Sequence, residues 1–260
     1  MTAEISQPTR QLKWDVYANS FARALEKREY VLCWLAEFHY STRRVIAEAL
    51  GLRAEGQGGF FKRLERDNLV RSVQVPTILE RLILLTPNGL EHARALTARA
   101  TSYTTEPSKI TSSTVIHNLS VQLAALRMQR DVRKIMFERH LEFATRIKLP
   151  DAVVETDSGR LALEVELTHK NTARIYRAFI DSIQNIKEGH YARVRYIFHR
   201  KLLLDHYFEL FRAPTWPYYD REPKSHRLIR VIRDGNPFSI DSTDPRIQSM
   251  FEFTQEDLYR

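Results

Sequence analysis

Apolar residues recur at helical spacing from Leu25 to His39, with Leu25, Val31, Leu32, Leu35 and Phe38 near one face. Ser41 or Thr42 then stands where a helix cap is wanted, ahead of a short helix from Arg43 to Leu50 that Gly51 stops. A glycine-rich connection, Gly56-Gln57-Gly58-Gly59, leads to a third helix, Phe60 to Asn68. On it Phe61 and Leu64 turn inward, while Lys62, Arg63 and Arg66 turn out. Leu69 to Val75, a proline-containing turn and Arg81 to Leu85 predict a β-hairpin. Thr86 as N-cap and Pro87 at the first helical position open a final helix.

The pattern breaks at Thr101 to Ser113, a Ser/Thr-rich stretch with one proline and little periodicity, which is linker chemistry. This divides the chain into 1–104 and 105–260. Beyond it, Val115 to Arg130 is helical. Ile135 to Phe143 and Arg146 to Glu155 predict strands, and Asp157-Ser158-Gly159 a turn. From Leu161 to Thr168 the alternation is strict: Leu161, Leu163, Val165 and Leu167 on one face, Ala162, Glu164, Glu166 and Thr168 on the other. A helix from Asn171 to Glu188, a strand from Arg193 to His199, a helix from Leu202 to Phe211 and a short strand from Arg227 to Ile232 follow. The fold class is α/β (α+β), with an αβββαβ order in the second part that argues for a mixed sheet.

Composition narrows the class of protein. The chain of 260 residues carries 40 Lys and Arg against 32 acids, a formal charge of +8 that favours polyanionic partners. No apolar run approaches the roughly 18 residues of a membrane span. Met1 to Pro8 lacks the pattern of a signal peptide. The single cysteine, Cys33, excludes a disulfide framework and fits a reducing compartment, so a cytoplasmic protein is expected. No phosphate loop is present, which speaks against ATP dependence.

Helix, short helix, helix, hairpin, helix is the order of a winged helix-turn-helix, and the Leu85-Thr86-Pro87-Asn88-Gly89-Leu90 ending resembles that superfamily. The resemblance implies a DNA-binding domain over 1–104. Its third helix would enter the major groove with Lys62, Arg63 and Arg66, Arg43 and Arg44 would lie near phosphates, and Arg81 on the wing. The alternative is a helical module whose basic residues form an ordinary solvated face.

Asp151, Glu164 and Glu166 stand out by position. A two-residue loop at Ser158-Gly159 sets Asp151 opposite Glu166, whereas one at Asp157-Ser158 sets it opposite Glu164. Either register gathers the three on one face. Converging carboxylates repel unless protonated or bridged by a cation, and oxygen-rich clusters suit Mg²⁺ or Mn²⁺. Lys170, four residues after Glu166, can return an ammonium to the same place. The same alternation also describes the wet face of an ordinary strand.

Pro150-Asp151, the strand Leu161 to Thr168 and Lys170, set on the αβββαβ order, resemble the PD-(D/E)xK nuclease-like superfamily. Preceded by a winged helix and a helix carrying His117, they look like plasmid mobilization relaxases of the MobC type and the related replication-relaxation proteins. The resemblance implies a restriction-endonuclease-like domain over 105–260 and a metal-dependent, strand-specific nick at a plasmid transfer origin. Asp151, Glu164, Glu166 and Lys170 would be catalytic, and the first three would hold the Mg²⁺ or Mn²⁺. It further implies a relaxosome accessory protein and a secretion-coupling protein as partners. The sequence departs from the pattern, since Glu166 stands where the motif has lysine, so Glu166 or Lys170 fills that role. Tyr176 is the nearest candidate for a covalent intermediate. Two other readings remain: a plasmid replication or regulatory protein that binds DNA without cutting, and an endonuclease of the same fold that cuts both strands.

Overall fold

The computed structural model describes residues 20–97, 106–128, 132–138, 141, 148–222, 225 and 227–259. The expected boundary at 104/105 lies outside these described residues. The chain forms two compact units, Met1–His140 with Tyr259–Arg260, and Leu141–Leu258. No helix among the described residues is long and apolar enough to cross a membrane.

In the first unit α1 (Ser20–Phe38) leads into a three-residue strand, β1 (Tyr40–Thr42), which the sequence pattern does not predict. Thr42 caps α2 (Arg43–Ala49), its hydroxyl accepting from the Val45 amide at 3.3 Å. Gly51 ends that helix in the left-handed region, φ 67°. Next come α3 (Gly58–Arg66), β2 (Val70–Val73), β3 (Leu82–Leu85) and α4 (Pro87–Leu96). The strands form an antiparallel sheet in the order β1-β3-β2. Thr86 caps α4 by accepting from the Gly89 amide at 3.0 Å, with Pro87 in the first turn. This is a winged-helix arrangement, the loop between β2 and β3 being the wing.

Helix α5 (Ser112–Arg127) packs on the same unit through a buried polar side chain. The Gln122 oxygen accepts from Ser41 Oγ at 2.6 Å and Trp34 Nε1 at 3.2 Å, while its amide donates to the Tyr40 carbonyl at 2.9 Å. Gln122 is fully buried, yet both ends of its amide are satisfied. Strand β4 (Val132–Phe137) follows, its Phe137 ring 3.8 Å from that of Phe38.

The second unit is built on a mixed sheet. β5 (Ala152–Thr156) and β6 (Gly159–Glu166) are antiparallel, β7 (Arg193–Phe198) is parallel to β6, and a strand near the carboxyl end, Phe251–Gln255, is parallel to β7. Between β6 and β7 runs α6 (Thr172–Lys187), capped by Asn171, and after β7 comes α7 (Lys201–Arg212). Phe179 of α6 sits at the centre of an aromatic cluster, its ring 5.1 Å from Trp216, 5.5 Å from Tyr196 and 5.6 Å from Phe251. The expected strand from Arg227 to Ile232 divides into short ribbons. The order continues β8 (Thr215–Pro217), β9 (Tyr219–Arg221), β10 (Leu228–Arg230), β11 (Ile232–Arg233), β12 (Asn236–Pro237), β13 (Ser239–Asp241), α8 (Pro245–Ser249) and β14 (Phe251–Gln255). β9 pairs with β10, β8 with β13 and β11 with β12.

Candidate nucleic-acid interface and the buried carboxylates

Phe61 and Leu64 anchor α3 in the core of the first unit, leaving Lys62, Arg63 and Arg66 exposed. Between α3, the start of α2 and the base of the wing lies an open groove of about 500 Å³. Arg43, Arg71 and Arg81 line it, with Glu65, Asn68 and Ser72. Arg43 stands at the first position of α2, its guanidinium 3.9 Å from Glu65 and 5.6 Å from the Phe61 ring centre. Ser72 donates to Glu65, and Arg81 donates to the Ser72 carbonyl at 3.0 Å, which fixes the guanidinium across the root of the wing. The buried Nε of Arg71 finds no acceptor among the described residues. Three guanidiniums against one carboxylate leave the groove positive, the charge that attracts a phosphate backbone.

Of the six basic residues expected at a DNA interface, Arg43 and Arg81 meet in the groove, and Lys62, Arg63 and Arg66 share the outer side of α3. Arg66 leans on Asp67 at 3.4 Å. Arg44 is exposed on α2 outside the groove lining, its guanidinium 5.3 Å from the Tyr259 ring centre. Arg71 was not singled out in the sequence. Its signal is the period of two along β2, where Arg71 lies between Val70 and Ser72 and opposite Leu84.

In the second unit the turn is Asp157-Ser158: Thr156 pairs with Gly159 and Ala152 with Leu163, so Asp151 falls opposite Glu164. The Asp151 carboxylate accepts the Val165 amide at 2.7 Å. The face expected to be wet is dry, with Glu164 and Glu166 only 4 % and 2 % exposed. Each buried glutamate holds a lysine. Lys148 donates to Glu164, and Lys170 donates to Glu166 at 2.5 Å. Burial pushes the Glu164 carboxyl up, against the pull of Lys148. Burial also works against the Lys148 ammonium, but Glu164, Asp151 and Glu166 outweigh it and keep the lysine charged. Lys148 was missed in the sequence, where only its place three residues before Asp151 marks it. Tyr176 is buried beside Phe179 on α6, and His117 lies on α5 in the first unit.

No family model and no curated protein matches the chain. Among solved structures it is similar to ZitR of Lactococcus lactis in an apo mutant form, with 27% identity over 29% of this chain and 58% of that one and a TM-score of 0.26. The match thus spans just over half of that ZitR chain. A second ZitR structure gives 24% identity over 49% of this chain and 84% of that one, TM-score 0.26. Reduced AbfR bound to DNA gives 23% identity over 41% and 82%, TM-score 0.25. Scores this low confine the likeness to a fraction of the chain.

The expectation of a MobC-type relaxase with a PD-(D/E)xK centre is corrected by how its expected residues are placed. The described residues hold no group of three or more His, Cys, Asp or Glu side chains arranged for a metal ion. The reason is in the geometry: Asp151 is tied to a backbone amide, and Glu164 and Glu166 are neutralised by Lys148 and Lys170. As placed, these carboxylates face two ammonium groups and a backbone amide. In the Glu164-Lys148 and Glu166-Lys170 pairs the carboxylates are buried on β6, while the lysine side chains are about one-third exposed.

Proposed function

We propose that the chain binds double-stranded DNA as a regulatory protein and does not cut it, reading its site through α3 and the wing of the segment 1–104. The groove formed by Arg43, Arg71 and Arg81 beside the exposed Lys62, Arg63 and Arg66 carries this reading. The guanidiniums suit flanking phosphates and α3 suits the major groove, an arrangement in which phosphate contacts set register and helix side chains read bases. The net charge of +8 supports the same partner. A cytoplasmic site of action fits it.

The order β5-β6-α6-β7 in the second unit supports a restriction-endonuclease-like scaffold there, used without cleavage chemistry. The relaxosome accessory and secretion-coupling partners rest on the relaxase resemblance alone. The test is selection of binding sites from a random duplex library, followed by gel shift with the selected duplex. Wild type is expected to enrich a motif and to return the DNA intact in buffer containing Mg²⁺. Lys62→Gln is expected to relax the motif, and Arg71→Gln to weaken every sequence alike. Failure to enrich any motif, or shifts unchanged by both substitutions, would overturn the proposal.

A further inference from the structure

A second basic cavity lies wholly within Leu141–Leu258, at the amino end of α6. It measures about 280 Å³, and five cations converge on it: Lys148, Lys170, Arg174, Arg177 and Arg221. The opposing carboxylate of the lining, Asp181, lies 2.9 Å from Arg177, which also donates to the Tyr219 carbonyl and to Asp220. Lys148 and Lys170 are engaged by Glu164 and Glu166. Arg174 and Arg221 are exposed, and their guanidiniums meet no carboxylate among the described residues.

Two further observations point to an anion. The first turn of α6 has no acidic residue, and it carries Arg174 close behind Lys170. Cations crowded at the positive end of a helix dipole are unfavourable on their own and become favourable when an anion is held among them. The wall opposite is the β9–β10 ribbon, where Arg221 and Leu228 are directly paired. It therefore offers a guanidinium beside an apolar side chain, and Ala178 adds a second apolar patch. A cavity near the small end of the usual ligand range, with mixed walls of this kind, suits an organic phosphate better than a polymer strand.

We propose that this cavity binds a small phosphate monoester. The Arg174 and Arg221 guanidiniums and the Lys170 ammonium take the phosphoryl oxygens, and the organic part lies against Leu228 and Ala178. The site is separate from the DNA groove and does not depend on it.

The test is calorimetric titration of the full chain at constant ionic strength with inorganic phosphate, glycerol 3-phosphate, glucose 6-phosphate, adenosine 5′-monophosphate and a 12-nucleotide single strand. At least one monoester is expected to bind more tightly than inorganic phosphate. Arg174→Gln and Arg221→Gln, both at exposed positions, should each weaken it roughly ten- to a hundredfold, the loss of one charge-assisted contact. Arg81→Gln should leave it unchanged. The proposal is overturned if no monoester in the panel binds, if binding survives both substitutions, or if the single strand alone binds.

Discussion

Gly89→Ala places the sharpest demand on the first unit. Gly89 lies in the first turn of α4, and a Cβ built there would stand 1.8 Å from the Leu69 carbonyl oxygen and 2.8 Å from its carbon. That is roughly 1.6 Å short of ordinary contact, and the obstacle is backbone, which no rotamer change relieves. To make room, α4 must lift from the end of β2. That move strains two contacts at its cap: the Thr86 amide to the Leu69 carbonyl at 3.1 Å, and the Thr86 hydroxyl to the Asn68 carbonyl at 2.5 Å. Each is worth about 1 kcal/mol net, and overpacking adds about 1–3 kcal/mol. Against this, alanine gains about 1 kcal/mol over glycine in a helix. The expected net loss is about 2–4 kcal/mol. Urea denaturation followed by tryptophan fluorescence measures it, with Gly59→Ala as control. Gly59 is also helical, but nothing lies within 4 Å of its added Cβ, so that variant should gain up to about 1 kcal/mol. The reasoning is refuted if Gly89→Ala is as stable as Gly59→Ala.

Other consequences follow from the buried polar groups. Lys148→Met strands Glu164 without its cation, and should cost about 3 kcal/mol near pH 8, the low end for a broken buried pair because Lys148 is 34 % exposed. The loss should shrink as pH falls and Glu164 takes up a proton, and Lys148→Met with Glu164→Gln should recover most of it; equal losses at pH 5 and pH 8 would contradict this. Burial pushes the Asp181 carboxyl up to about 6 from its ordinary 3.8, against the pull of Arg177. The folded state therefore binds this proton more tightly than the unfolded one, so its contribution to stability is greatest below pH 4 and falls as pH rises to 6, by about 3 kcal/mol in all. Asp181→Asn should abolish that component, and urea midpoints of the two proteins measured from pH 4 to 6.5 would show it; parallel curves would count against the assignment. Gln122→Leu leaves the Tyr40 carbonyl and the Ser41 and Trp34 donors without their partner, and should cost about 3 kcal/mol or more. A loss under about 1 kcal/mol in denaturant titration would mean that those groups find other partners.

The parts of the fold that were legible in the sequence rest on local chemistry. Thr42 and Thr86 as caps, Gly51 as a stop and the inward Phe61 and Leu64 need only a few neighbouring residues to act. β1 was not legible because Tyr40, Ser41 and Thr42 are too few to show a period, and their strand exists only by pairing with β3. β14 was hidden for a similar reason, since Phe251–Gln255 pairs in parallel with a strand more than fifty residues earlier. The alternation along β6 gave the strand and its two faces, and it left the register open among two- and three-residue loops. It could not show that both faces are covered, and so it set the glutamates on a wet or catalytic surface. Lys148, the partner of Glu164, is brought in by tertiary packing, and its place three residues before Asp151 is a weak signal. The basic groove was half legible: Arg43 and Arg81 stood out as basic residues on named elements, whereas Arg71 joins the groove only when the wing folds beside α3.

The central claim, that duplex DNA is held in the Arg43–Arg71–Arg81 groove, is tested most directly by the salt dependence of binding. The dissociation constant for the selected duplex would be measured from 50 to 300 mM KCl for wild type and for the variant carrying Arg43→Gln, Arg71→Gln and Arg81→Gln together. If the three guanidiniums face phosphates, the slope of log Kd against log salt should fall by about 2–3 in the variant, close to one per lost phosphate contact. An unchanged slope, with the variant as well folded as wild type, would mean that DNA is bound elsewhere or not by this unit.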